Sequence, residues 1–325
     1  MIRTPAWWYR RDARGAPWWR PLLWPLSLLW RAVNAYKRAT AKPYRSGLRV
    51  ISVGNLTLGG SGKTPIVAEL LRLLGPRAVG LSRGHGGALP GPLIVDPARH
   101  GAAEVGDEAL LIARQHDMFV ARNRAAGLRA IEATDTDIVV LDDAHQNVRI
   151  AADVRILVVD GDTRDGNWPF GDEGVCPYGP MREPFHVGFA RADLVVIWMP
   201  DAVTPPDPAL LDKLSGKPVF IARLTAEPGA GRVFGFAAIA KPWKFEATLR
   251  ACGYEVAGFE SFPDHAPFTE AQLSQLAQRA ETEGAGLITT EKDWVRLTSE
   301  WRARVRCLPI RARFDTPDAL LAHLA

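Results

Sequence analysis

The sequence predicts an α/β protein: a mostly parallel β-sheet with helices on both faces, a smaller α/β domain after it, and a separate amphipathic helix at the N-terminus. Three observations carry this. Apolar strand-like runs alternate with stretches of helical periodicity from Leu48 onward. A glycine-rich loop sits between the first such strand and the first such helix. The opening fifty residues differ in composition from everything that follows them.

The N-terminal segment comes first. Of 40 Lys and Arg and 36 Asp and Glu in the 325-residue chain, eleven bases (Arg3, Arg10, Arg11, Arg14, Arg20, Arg31, Lys37, Arg38, Lys42, Arg45 and Arg49) and one acid (Asp12) lie in residues 1–50. The remaining body keeps 29 bases and 35 acids and is net acidic, so the formal charge of +4 belongs to the N-terminus. Six of the eleven tryptophans, Trp7, Trp8, Trp18, Trp19, Trp24 and Trp30, are there too. Tryptophan and arginine together suit the headgroup zone of a bilayer. From Pro25, tolerated in a first helical turn, Leu26, Leu29, Trp30 and Val33 share one face, which predicts a surface helix for anionic lipid. The apolar run from Pro21 to Trp30 is far short of the ~20 residues a bilayer core requires. Continuing arginines and the lack of a small-residue cleavage site argue against a signal peptide. The competing reading is a helix packed on the protein's own body. A nucleic-acid arm fits less well, because the aromatics cluster with leucines.

Next, Leu48–Val53 reads as a buried strand and Ile66, Val67, Leu70, Leu71 and Leu74 repeat at helical spacing. Between them lies Val53-Gly54-Asn55-Leu56-Thr57-Leu58-Gly59-Gly60-Ser61-Gly62-Lys63-Thr64-Pro65. Gly59, Gly60 and Gly62 let backbone N–H groups and a helix N-terminus approach a polyphosphate. Lys63 then holds the β and γ phosphates, and the Thr64 hydroxyl ligates Mg²⁺. Thr57 stands where the strict G-x-x-x-x-G-K-[ST] pattern has glycine, but the strand-loop-helix context is what the motif requires. The fold class is therefore P-loop NTPase-like.

Further strands are expected at Ala78–Leu81, Leu93–Asp96, Met118–Ala121, Asp137–Asp142, Arg155–Asp160, Leu194–Trp198 and Val219–Leu224. Glu227-Pro228-Gly229-Ala230-Gly231 reads as a link. Beyond it come strand Val233–Ala240, helix Trp243–Cys252, strand Glu255–Ser261, helix Glu270–Glu283, strand Gly286–Thr289 and helix Asp293–Arg302. Ile138–Leu141 ending in Asp142-Asp143 matches the strand that sets carboxylates beside the Mg²⁺ of a phosphate loop. Cys176, Cys252 and Cys307 form no C-x-x-C pair, so no zinc site or disulfide framework is indicated and a reducing, cytoplasmic setting fits.

By physics alone Val105–Glu108, Gly179–Pro184 and Phe262–His265 are faint: a helix N-cap at Asp107, a surface pair Arg182 and Glu183, a polar turn at Asp264-His265. Taken with the rest they resemble the tetraacyldisaccharide 4'-kinase family of lipid A biosynthesis. The resemblance spans nearly the whole chain: GNLTLGGSGKTP at 54–65, SRGHG at 82–86, VGDE at 105–108, LDDAHQN at 141–147, GPMREP at 179–184, PDH at 263–265 and TEKD at 290–293. The family's loop also has threonine at the place of Thr57.

The resemblance implies transfer of the γ-phosphate of ATP to the 4'-hydroxyl of a tetraacylated disaccharide 1-phosphate, giving lipid IV-A. It implies work at the cytoplasmic face of a Gram-negative inner membrane, with no nucleic acid and no protein partner required. By position, Gly59, Gly60, Ser61, Gly62, Lys63, Thr64 and Pro65 bind the nucleotide, and Thr64, Asp142 and Asp143 form the metal site. Asp107 with His265 is the acid–base pair, Asp107 being the base, and Arg182, Glu183 and Gln146 lie in the acceptor or metal environment. The chain then divides into a membrane-association segment (1–46), a P-loop kinase domain (47–228) and a smaller α/β domain (229–325). Departures from the family pattern are His85 for tyrosine, Ala144 for glycine, Asn147 for histidine and Ala266 for a second histidine. Ala144 raises the question of a backbone conformation that alanine disfavours. Two alternatives from other classes are a membrane-associated P-loop switch or metallochaperone acting on a protein partner, and a non-catalytic lipid binder. The first lacks an N-K-x-D segment and a Cys/His cluster; the intact Lys63, Thr64, Asp107, Asp142, Asp143 and His265 argue against the second.

Overall fold

Alternating apolar and helical segments close into two β-sheets in the computed structural model, which describes residues 5–325; Arg3 lies outside the described residues. Short 3₁₀ turns at Ala6–Tyr9 and Arg20–Leu23 lead into helix α1 (Trp24–Thr40). Pro25 sits in its first turn, where a missing N–H costs nothing. Leu26, Leu29, Trp30 and Val33 do share a face of α1, and that face points outward: they are 53, 61, 46 and 42% exposed, while Ser27 is buried. The helix docks on the body through polar contacts instead. Trp30 Nε1–H donates to the Arg182 carbonyl (2.8 Å), Arg38 approaches Glu183 (3.4 Å), and Arg20 in the preceding turn ion-pairs with Asp172. Among the described residues no helix is long and apolar enough to cross a membrane.

The chain then runs β1 (Arg49–Gly54), α2 (Lys63–Leu74), β2 (Ala78–Ser82), β3 (Leu93–Ile94), α3 (Ala102–Val105), α4 (Asp107–Ala113), β4 (Met118–Val120), α5 (Arg124–Ile131), β5 (Ile138–Leu141), β6 (Val154–Asp160), α6 (Phe185–Arg191), β7 (Leu194–Met199), α7 (Pro208–Lys213) and β8 (Val219–Ala226). After a crossing come β9 (Arg232–Ala237), α8 (Pro242–Ala251), β10 (Glu255–Ser261), α9 (Glu270–Thr282), β11 (Gly286–Thr290), α10 (Glu291–Trp294), α11 (Ser299–Arg304) and β12 (Arg306–Leu308). The chain ends with β13 (Ile310–Phe314) and α12 (Pro317–Leu324).

Among the described residues the larger sheet has nine strands in the order β13-β8-β7-β6-β1-β5-β2-β4-β3, parallel except at its edges β13 and β3. Because both faces are covered, its strands are apolar throughout rather than alternating. Ile51 and Val53 point to the side of α2, where Ile66, Val67, Leu70 and Leu71 bury against them; Val50 and Val139 point to the side of α5, onto Leu128 and Ile131. Each such α2 side chain contributes roughly 1.5–3 kcal/mol of burial. Strand order reverses at β1, with β2 reached on one side and β6 on the other, and the crevice at the C-terminal ends of strands about such a switch point is where α/β sheets bind ligands.

The smaller sheet, β10-β9-β11-β12, is parallel, with α8 on one face and α9 and α11 on the other. Two expectations change here. The helix expected over Asp293–Arg302 is two, because the Thr298 side chain accepts the Trp301 N–H and starts a new helix. The stretch 310–325 belongs to the larger sheet: β13 pairs with β8, and Leu320 and Leu324 of α12 bury in the cluster under α2. The smaller sheet thus takes only 232–308 of the residues after the link.

Candidate active site

The glycine-rich loop leaves β1 at its C-terminal end and enters α2 at Lys63. Gly62 has φ 78°, and a Cβ there would overlap the Trp198 indole, so glycine is required on both counts. Gly59 has φ 93° and packs under the Tyr9 hydroxyl, which donates to the Leu58 carbonyl (3.1 Å). Lys63 Nζ donates to Asn55 Oδ1 (3.2 Å) and lies 3.5 Å from Asp143. Gly59, Gly60, Ser61, Gly62, Lys63, Thr64 and Pro65 all line one cleft of about 2210 Å³.

Strand β5 lies beside β1 and delivers Asp142 and Asp143 to that cleft. Asp142 is 1% exposed and neither of its carboxylate oxygens has a hydrogen-bond partner. Burial, with Glu108 and Asp143 nearby, pushes its pKa up to about 7. Asp143 is the opposite: burial is overcome by Lys63 and Arg182, and its carboxyl is held well below the usual range. Arg182 Nη1 donates to both Asp143 oxygens (2.9 and 3.0 Å). The segment GPMREP places Arg182 by pairing with the loop, Leu58 N–H to the Pro180 carbonyl (2.8 Å) and Arg182 N–H to the Leu56 carbonyl (2.7 Å).

The backbone question raised by Ala144 resolves one residue earlier. Asp143 carries the left-handed conformation (φ 45°), Ala144 does not, and alanine fits. Gln146 reaches the cleft and donates to the Asn55 carbonyl (2.8 Å) and to Glu183 (3.1 Å). Glu183 is 2% exposed and sits behind the wall, bonded by Arg191 at 2.6 and 2.8 Å.

Asp107 opens α4, preceded by Gly106 at φ 88°. His265 follows β10, itself left-handed (φ 58°), with its N–H on the Ala238 carbonyl (3.0 Å). The two meet: His265 Nδ1 is 2.9 Å from Asp107 Oδ2. Burial raises the Asp107 pKa, but the His265 hydrogen bond and the Lys292 and Arg296 charges outweigh it and bring it down to about 2. His265 and Glu108 line the same cleft as Lys63 and Asp142.

An Mg²⁺ ion fits the donors present. Asp142 is a buried carboxylate with orphan oxygens beside the Thr64 hydroxyl's loop, which is the chemistry a hard divalent cation takes. Among the described residues no group of three or more His, Cys, Asp and Glu side chains forms a metal cage. None is needed, since Mg²⁺ in phosphoryl-transfer sites is held by one or two carboxylates and the substrate's phosphates.

Comparison with known proteins decides the family. The model of the tetraacyldisaccharide-1-P 4'-kinase family matches residues 19–325. The chain belongs to that family. A tetraacyldisaccharide 4'-kinase of Phenylobacterium zucineum is 52% identical, covering 98% of this chain and 97% of that one. One from Caulobacter vibrioides is 50% identical over 99% and 98%. A crystal structure titled as the "apo" form of LpxK from Aquifex aeolicus in complex with ATP aligns with a TM-score of 0.70 at 26% identity, covering 94% of this chain and 98% of that one. This family member is thus an ATP-dependent kinase that phosphorylates a sugar hydroxyl in lipid A biosynthesis.

Sequence reasoning did not single out several residues that shape the site. Asn55 and Trp198 hold the phosphate loop, and Arg124, half-buried at the start of α5, donates to the carbonyls of Asp142 and Asp143 (2.7 and 3.0 Å). Lys292 bridges Glu108 (3.0 Å) and His265 Nε2 (3.1 Å). Asn55, Glu108 and Lys292 each sat inside a quoted motif; Trp198 and Arg124 carried no local signal.

Proposed function

We propose that this kinase transfers the γ-phosphate of ATP to the 4'-hydroxyl of tetraacyldisaccharide 1-phosphate, forming the 1,4'-bisphosphate, lipid IV-A. The observation that carries the reading is one cleft lined by the phosphate loop, Asp142 and the His265 paired with Asp107. Loop N–H groups and Lys63 hold the β and γ phosphates and stabilise charge as the phosphoryl group moves. Thr64 and Asp142 would hold Mg²⁺, with Asp143 beside them tethering Lys63 and Arg182. When bound, the ion would supply neutralisation of phosphate charge. Asp107, ionised and oriented by His265, accepts the proton of the attacking hydroxyl. Because bond-making lags behind bond-breaking in such transfers, the hydroxyl becomes strongly acidic only late, and a carboxylate of low pKa suffices.

The acceptor's four acyl chains stay in a bilayer, so the enzyme comes to it, at the cytoplasmic face of the inner membrane. Residues 1–46 make that contact, with Trp18, Leu22, Trp24, Leu26, Leu29 and Trp30 exposed around α1 and Trp30 itself on the cleft wall. No protein partner enters the reaction. The larger-sheet domain, 47–228 with 310–325 returning to it, carries the phosphate loop, and the smaller domain over 232–308 supplies His265.

The test is transfer of labelled γ-phosphate from Mg·ATP to purified tetraacyldisaccharide 1-phosphate in micelles, with Lys63→Ala as control. Labelled lipid from wild type and none from the control is expected; ATP hydrolysis without labelled lipid would instead favour a nucleotide switch. Trp24→Ser with Leu29→Ser is expected to weaken co-sedimentation with anionic vesicles at least about tenfold, since each side chain loses roughly 1.5–3 kcal/mol of burial.

A further inference from the structure

The motif Thr290-Glu291-Lys292-Asp293 has no part in the chemistry so far, yet the structure packs it directly behind His265. Thr290 caps α10, and Asp293, fully buried, accepts the Ala238 N–H (3.0 Å) of the loop that positions the His265 backbone. Glu291 accepts the Ile310 N–H (3.1 Å), joining the smaller sheet to the returning strand β13. Lys292 reaches the His265 ring itself. Its Nζ lies 3.0 Å from Glu108 Oε1 and 3.1 Å from His265 Nε2.

An ammonium group is a donor and never an acceptor. Glu108 and Asp107 hold Lys292 in its charged form against the effect of burial. Its hydrogen bond therefore requires a lone pair on His265 Nε2, which leaves the ring proton on Nδ1, where it faces Asp107 Oδ2 at 2.9 Å. The other groups facing the ring are Asp264, with Oδ1 3.8 Å from Nε2, and His85, edge-on at 5.7 Å between centroids; Arg296 faces Asp107 at 3.9 Å. Without Lys292, Nε2 would face carboxylates with no cation between, and a proton would settle there.

We propose that Lys292 is a positioning residue: it fixes His265 as the neutral Nδ1–H tautomer, so that the ring donates to Asp107 and leaves Asp107 as the group that receives the sugar proton. The inference rests on the acid–base roles proposed above for Asp107 and His265. The Lys292 to Glu108 ion pair ties the smaller sheet to α4, so the tautomer is set only where the two halves of the site are joined.

The test reads the ring directly. In ¹⁵N-histidine-labelled protein, with the His265 signals assigned by their loss in His265→Gln, Nδ1 is expected to carry the proton and Nε2 to be bare at neutral pH. In Lys292→Met, Nε2 gains the proton, the acid limb of the kcat–pH profile moves up, and kcat falls about a hundredfold with the KM for ATP within about threefold. Lys292→Arg, also a pure donor, restores the bare Nε2. If Lys292→Met fails to fold because Glu108 is left unpaired, Glu108→Gln with Lys292→Met removes the pair together and is read the same way. A protonated Nε2 in wild type, or an unchanged ring and pH profile in the methionine variant, overturns the inference. Lack of lipid phosphorylation by a wild-type protein with the expected tautomer would instead refute the proposed substrate and leave the ring assignment standing.

Discussion

Asp107 and Asp142 are both buried carboxylates associated with one cleft, and their environments push them in opposite directions. Asp107 accepts from His265 and from the Glu108 N–H (2.9 Å) and has Lys292 and Arg296 nearby; its pKa falls to about 2. Asp142 has no hydrogen-bond partner for either oxygen, and its pKa rises to about 7. The difference separates two kinds of functional residue. A satisfied buried charge is already organised by the protein, here by groups from both domains; a buried carboxylate without hydrogen-bond partners has oxygens free to take a cation, as proposed above for Asp142.

The comparison breaks first at the phosphate end. Lys63→Ala is expected to reduce turnover by about a thousandfold or more, because charge on the transferring group would lose the Lys63 ammonium; near-normal phosphate transfer would remove the P-loop role. At the organised carboxylate, Asp107→Ala or His265→Ala should cost about a hundredfold to ten-thousandfold in kcat, with ATP affinity by calorimetry within about threefold. Equal losses in binding and turnover would mean the pair shapes the nucleotide pocket instead.

The orphaned carboxylate makes a prediction of opposite sign for stability. Between the unfolded value near 3.8 and the folded value near 7, the native state holds a proton on Asp142 that the unfolded chain has released, so its contribution makes the metal-free protein less stable as pH rises through that window. Asp107, depressed in the folded state, stabilises above its unfolded value, and that contribution is lost as pH falls toward about 2, outside the same window. Asp142→Asn is therefore expected to abolish activity while raising Tm near pH 7 by roughly 2–4 °C per kcal/mol recovered. The smallest effect sharpens the point: millimolar Mg²⁺ without nucleotide should raise the wild-type Tm by a degree or two and leave Asp142→Asn unmoved, a shift on the order of that expected from weak binding to the native state. Equal shifts in both proteins would place the ion elsewhere.

Much of the fold was legible because its signals are local. The strands at Arg49–Gly54, Ile138–Leu141 and Leu194–Met199 are short apolar runs bounded by turns, and α2 announces itself by periodicity and a glycine-rich entry. The return of residues 310–325 to the larger sheet was not legible, since Ile310–Phe314 alternates like an ordinary edge strand and nothing in it names its partner β8. The outward apolar face of α1 was expected from composition, but excluding the competing reading of a helix packed on the body took the structure. An apolar stripe is the same pattern whether protein or lipid covers it, and only the burial of Ser27 together with the exposure of Leu29 tells which side docks.

By itself the sequence determined the phosphate loop, the paired acids after β5 and the family, because these depend on residue type at fixed spacing along a continuous segment. Tertiary structure alone decided which aspartate is satisfied and which is bare, and that Lys292 stands behind His265, whose ring meets Asp107 across 158 residues of chain. Charge and tautomer are set by what lies within about 4 Å in space, and two sheets brought together supply neighbours that no local pattern records.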